Sequence, residues 1–155
     1  MGGVFSLECT TMSTALWTVI AFAAWTLAVL MFGVGTRRFY LIFSHQAVLT
    51  SFPGDTAHGN PAYRRAMRAH ANCVENLPVY AAIVLSAETA RLVPPYMDAL
   101  ALAVIVCRIT QSCIHMLMPE TNSTIAVRFS FFLAQVAAMI WMIISIASLG
   151  LARAG

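Results

Sequence analysis

The chain is 155 residues long, 60% hydrophobic and only 10% charged, with a mean hydropathy of +0.79. Soluble domains carry about 25% charged residues, so this composition belongs to an integral membrane protein in contact with a lipid bilayer. The formal charge of +3 is spread along the chain and involves no lysine, which leaves no basic cluster on a soluble face and excludes a nucleic-acid surface.

From Cys9 to Thr36 there is no charged residue, and Leu16 to Phe32 is strongly apolar. Roughly 20 such residues cross the hydrocarbon core, which predicts a first transmembrane helix over 13–36, closed by Arg37 and Arg38. No positive residue precedes the apolar run, so a cleavable signal peptide is not expected; Met12 is an alternative start. The connection that follows is unusually long for a compact bundle and contains the breakers Phe52-Pro53-Gly54-Asp55 and His58-Gly59-Asn60-Pro61. Asn60 is suited to cap a helix whose early residue is Pro61, giving a second helix over 62–92. Pro78 removes the amide bond to the Val74 carbonyl, so a bend is expected there. Pro94-Pro95 break the chain before a third helix over 97–118, and Pro119 to Ser123 turn it into a fourth over 125–151. The expected fold is all-α: residues 1–155 as one domain, an integral membrane bundle of four transmembrane helices.

The arginines set an orientation. Arg37, Arg38, Arg64, Arg65 and Arg68 fall on the first loop or its borders, against Arg91 and Arg153 on the other side. The positive-inside rule then makes the first loop cytoplasmic and puts both termini opposite, with the protein in the inner or plasma membrane. Cys9, Cys73, Cys107 and Cys113 form no CxxC pair and lie mostly in or beside apolar segments, which favours free thiols over disulfides or a metal site.

Polar residues within the apolar helices carry the functional signal. At about 100° per residue, Arg65, Arg68, Asn72 and Glu75 fall within an arc of roughly 80° on the second helix, with Arg64 at its margin. Arginines at lipid headgroups account for the start of this stripe, and a ligand site for its continuation towards the bilayer; the stretch alone supports both. Arg108, Gln111, Ser112 and His115 follow the spacing i, i+3, i+4, i+7 on the third helix, and Arg128 and Gln135 repeat i, i+7 on the fourth. Because helix direction alternates, all three stripes belong to the same half of the bilayer, where ionisable groups face a bundle interior or a wet cavity. Arg65, Arg68, Arg108 and Arg128 face only Glu75 in these stripes. Arginine cannot shed its proton, so the positive excess points to an anionic ligand, lipid headgroup or substrate carboxylate.

The run Arg65-x-x-Arg68-x-His70-x-Asn72-x-x-Glu75-x-x-Pro78 resembles the second-helix signature of the MAPEG family, membrane-associated proteins in eicosanoid and glutathione metabolism, in a bacterial-type member. Length, helix count and the long first loop agree with it over nearly the whole chain. The resemblance implies a homotrimer of four-helix subunits that holds glutathione, as cosubstrate, between neighbouring subunits. It implies that Arg65, Arg68, Asn72, Glu75, Arg108 and Arg128 bind the tripeptide, with Arg38 a first-helix basic residue near the thiol and Arg128 and His115 the catalytic candidates. Guanidinium forks suit the two glutathione carboxylates, Glu75 the ammonium, and an arginine near sulfur favours thiolate. Two positions depart from the family pattern: His115 stands where well-studied members often carry tyrosine, and Phe129 where many have serine. His115 is placed to accept the thiol proton or to donate a hydrogen bond to the sulfur. The activity implied is that of a glutathione-dependent transferase or peroxidase acting on an apolar electrophile or lipid hydroperoxide, without metal. The alternative is a non-catalytic relative binding an anionic lipid or fatty acid.

Overall fold

The computed structural model describes residues 11–52 and 57–155, and among them there are four long helices and no strand. Helix α1 is Thr14–Phe43, α2 is Pro61–Ala90, α3 is Met97–Leu117 and α4 is Asn122–Ala154. The breakers Pro53, Gly54 and Asp55 lie outside the described residues, as does Cys9.

Local chemistry sets most helix starts. Ser13 caps α1 by accepting from the Leu16 amide at 3.2 Å, and its hydroxyl donates to Glu88 of α2. Asp98 of α3 accepts the Ala15 amide at 3.0 Å, so two other helices help satisfy this end of α1. Asn60 accepts from the Tyr63 amide at 2.9 Å, and Pro61 opens α2, as the sequence predicts. Helix α4 begins earlier than predicted because Thr121 takes the cap, accepting from the Thr124 amide at 3.2 Å, which draws Asn122 and Ser123 into the first turn.

The first helix departs most from expectation. Arg37 and Arg38 do not close it: the helix passes through a π-helical segment, Val29–Gly35, and resumes as α-helix over Thr36–Phe43. Both arginines reach Tyr63 at the start of α2, contacts that hold the extension in place. It ends at His45, which adopts φ 56, beside amides of Gln46 and Ala47 that both bond the Leu41 carbonyl.

Helix α3 sits centrally, packing on α1, α2 and α4, whereas α2 and α4 touch each other little. The core is Phe22, Tyr80, Val84, Met97, Val104 and Met142, with Ala15, Ala87 and Ala101 allowing close helix approach. Large apolar side chains such as Leu27, Val106, Trp141 and Ile144 point outward, the arrangement of a lipid-facing surface. Helices α1, α3 and α4 are long and apolar enough to cross a membrane. Four spans were expected. Helix α2 is long enough but falls short of the other three in hydropathy, because Asn72, Glu75, Asn76 and Glu88 interrupt it.

Candidate functional site

The alternating chain direction brings the beginning of α2, the end of α3 and the beginning of α4 to one end of the bundle. Between them lies a cavity of about 290 Å³ whose polar wall is Asn72, Gln111, Ser112, His115 and Arg128, with Phe129 and Phe132 on the apolar side. Gln111, Ser112 and His115 are buried, as is Arg108 one turn further in, so the predicted stripe on α3 does face the interior.

Within the cavity Arg128 donates a hydrogen bond from Nη1 to Nδ1 of His115. A guanidinium can only donate, so Nδ1 is the unprotonated nitrogen and the neutral imidazole carries its proton on Nε2. Asn76 on α2 donates to the Asn72 carbonyl at 2.8 Å and to its side-chain oxygen at 3.3 Å, and accepts from Gln135 of α4 at 3.5 Å. This chain of amides fixes Asn72 and gives the fourth-helix Gln135 a structural role.

Arg65 and Arg68 are not in the cavity wall. They line an adjoining notch of about 360 Å³ with Arg64, Pro119 and Glu120, and Arg68 is followed on α2 by Ala69, which lines the cavity. Arg65 Nε donates to the Met116 carbonyl at 3.3 Å, near the negative end of α3. Arg68 pairs with Glu120 at 3.1 Å, both side chains largely solvent-facing. Glu120 corrects the charge count: with Glu75 it gives two acids against four arginines, a net excess of two rather than three.

Neither Glu75 nor Arg108 lines the cavity. Glu75 is exposed on α2, whereas Arg108 is completely buried and stacks 5.5 Å from the Phe22 ring centroid of α1. Among the described residues its guanidinium has no ion-pair contact, the Cys73 thiol and the Glu75 carboxylate being the groups that face it, and Gln111 Oε1 has no hydrogen-bond partner. A fully buried, unpaired cation is costly, so its retention points to a function beyond packing. Beside it the Cys73 thiol lies 3.5 Å from the Ser112 hydroxyl; Cys73, Cys107 and Cys113 are free thiols.

Arg38 lines neither the cavity nor the notch. Its Nε donates to the Tyr63 hydroxyl at 2.6 Å, and its guanidinium lies 5.4 Å from the Phe52 ring. Tyr63 is the residue that sequence reasoning missed. It is buried, takes Arg37 over its ring at 5.4 Å, and meets His58 edge-on. Its place immediately after the Asn60-Pro61 cap was visible in the sequence, but its arginine partners are 25 and 26 residues upstream.

A family model described as the MAPEG family matches residues 14–148, which take in α1 to α3, most of α4 and every residue of this site. The chain belongs to the MAPEG family. Comparison with curated proteins and with solved structures returned no match. Membership makes this a membrane helical bundle of a generally glutathione-related family. In this MAPEG chain, Asn72, His115 and Arg128 meet in one cavity, and Arg65 and Arg68 stand together beside it. Arg38, Glu75 and Arg108 are each held elsewhere in the isolated subunit.

Proposed function

We propose that this MAPEG chain is a membrane-bound glutathione-dependent transferase or peroxidase acting on apolar electrophiles or lipid hydroperoxides. The observation that carries the reading is the polar cavity at the junction of α2, α3 and α4, continuous along α2 with an arginine-rich notch. The two glutathione carboxylates match Arg65 and Arg68, Asn72 offers an amide to the peptide, and Arg128 supplies fixed positive charge for the thiolate. In transfer, that thiolate attacks an electrophilic carbon and the displaced electron pair leaves on the departing group or opened oxygen, which takes up a proton. The Nε2 proton of His115 is suited to donate a hydrogen bond to sulfur.

In this reading a homotrimer accounts for Glu75 and Arg38. Glu75 is an exposed carboxylate on a helix otherwise bound for the bilayer, and a neighbouring subunit would cover it. The same neighbour would bring Arg38 towards the thiol and Glu75 towards the glutathione ammonium. Titrating glutathione into detergent-purified protein, with the thiolate absorbance of the bound ligand recorded, tests this function. Binding with thiolate supports the enzyme, whereas binding without it indicates a non-catalytic relative; no binding overturns the glutathione reading.

Glu120 holds Arg68 in the place offered to a ligand carboxylate. Glu120→Gln should therefore tighten glutathione binding severalfold, whereas Arg68→Ala should weaken it about tenfold and Arg64→Ala hardly at all, measured by calorimetric titration. Equal, small losses at all three positions would instead assign the stretch to headgroup contact.

The arginine-bearing end of the bundle is placed at the cytoplasmic face. A cysteine introduced at Ala57 in the first loop should react with a membrane-impermeant maleimide only after cells are opened. Labelling from outside intact cells would reverse the orientation.

A further inference from the structure

A second cavity, of about 460 Å³, lies between α1, the start of α2 and the last turn of α3. It shares no lining residue with the polar cavity: α1 forms its wall, whereas α4 forms that of the other. Trp25, Val29, Phe32, Tyr63 and Met116 make it overwhelmingly apolar, and its volume is within the range of small-molecule sites, about 300–1,000 Å³. Phe32 is 77% exposed at its mouth, so the groove opens sideways from a membrane-spanning helix. The π-helical segment forms much of the α1 wall, and Gly33 lies where an added Cβ would come 3.2 Å from that of Ala66, so the floor is closed by direct helix contact.

One end of the groove is charged. Arg37 lines it, half-buried, held only by its position over the Tyr63 ring, and it has no carboxylate partner among the described residues. No acidic residue lines the groove. The glutathione reading gives Arg37 no task. A long apolar trough ending in one unpaired guanidinium matches a phospholipid with a net negative headgroup: one acyl chain in the trough, its phosphate on Arg37. A zwitterionic lipid fits less well, because among the described residues no carboxylate at that end receives its cation. We propose that this groove is a binding site for an anionic phospholipid, independent of the glutathione site.

Trp25 provides a built-in reporter. The full chain carrying Trp17→Phe and Trp141→Phe is reconstituted in phosphatidylcholine bilayers containing brominated phosphatidylglycerol or brominated phosphatidylcholine, and Trp25 fluorescence is followed. Brominated phosphatidylglycerol should quench with about fivefold higher apparent affinity, the preference expected of one basic residue at an anionic headgroup. Arg37→Gln should bring the two lipids level, and Ala28→Phe, which fills the groove, should weaken quenching by both. Lipid retained by the chain with its native tryptophans, counted by mass spectrometry after detergent extraction, should fall in Arg37→Gln. Equal quenching by the two lipids, a preference that survives Arg37→Gln, or a Trp25 that neither lipid reaches would each overturn the proposal.

Discussion

Arg108→Met should raise thermal stability and at the same time weaken glutathione binding by more than about tenfold. Arg108 is fully buried, and among the described residues its guanidinium has no ion-pair contact. Substituting a well-packed apolar side chain for buried ionic groups is often neutral or stabilising by about 1–4 kcal/mol. Methionine is unbranched and adapts to the space beside Phe22 and Cys73. In the proposed complex Arg108 turns its guanidinium to bound glutathione, and removing one partner of such a buried, charged hydrogen bond typically costs about 2–5 kcal/mol, which lowers affinity by more than an order of magnitude. A melting curve and a binding isotherm on the same preparation separate the two effects. A variant that melts higher and still binds glutathione with native affinity would make Arg108 a structural relic. One that melts lower would show that its stack on Phe22 outweighs the cost of burial.

The second large effect concerns Arg128 and His115. Arg128→Gln should lower turnover by about a hundredfold or more while leaving glutathione affinity nearly unchanged. That is the scale of losing one donor aimed at charge in the reacting complex. His115→Gln should retain most of the rate, because a glutamine oxygen can accept the Arg128 proton in place of Nδ1. The imidazole lone pair is already committed to Arg128, so it is poorly placed to take the thiol proton. The pH profile of His115→Gln should accordingly match that of the parent. If an ionisation present in the parent disappears from the His115→Gln profile, His115 is the base after all and Arg128 must release it during turnover.

The parts of this architecture that were legible in the sequence are those set by near neighbours. Asn60-Pro61 announces the start of α2 because the cap and the capped amide are three residues apart. The stripe Arg108, Gln111, Ser112, His115 was readable because helical spacing alone puts it on one face, and all four are buried. Angular position does not say which neighbour a face meets, so the stack of Arg108 on Phe22 was not predictable from spacing. Glu120 escaped because it sits in a turn between two stripes, where helical counting has no phase to assign. The end of α1 was misjudged for a related reason. Two arginines after an apolar run usually mark a membrane boundary, whereas here Tyr63 receives both and the helix continues past them.

The π-helical segment has a consequence for the geometry of α1. Each i→i+5 turn accommodates one more residue than an α-turn, so Val29–Gly35 acts as a phase shifter between the two halves of the helix. Upstream, Phe22 is aimed at Arg108; downstream, Arg37 and Arg38 are aimed at Tyr63. In an unbroken α-helix of the same length, about 100° of rotation would separate the downstream side chains from their present bearing. Two ends of one helix thus serve two different neighbours, with the inserted residue setting the angle between them.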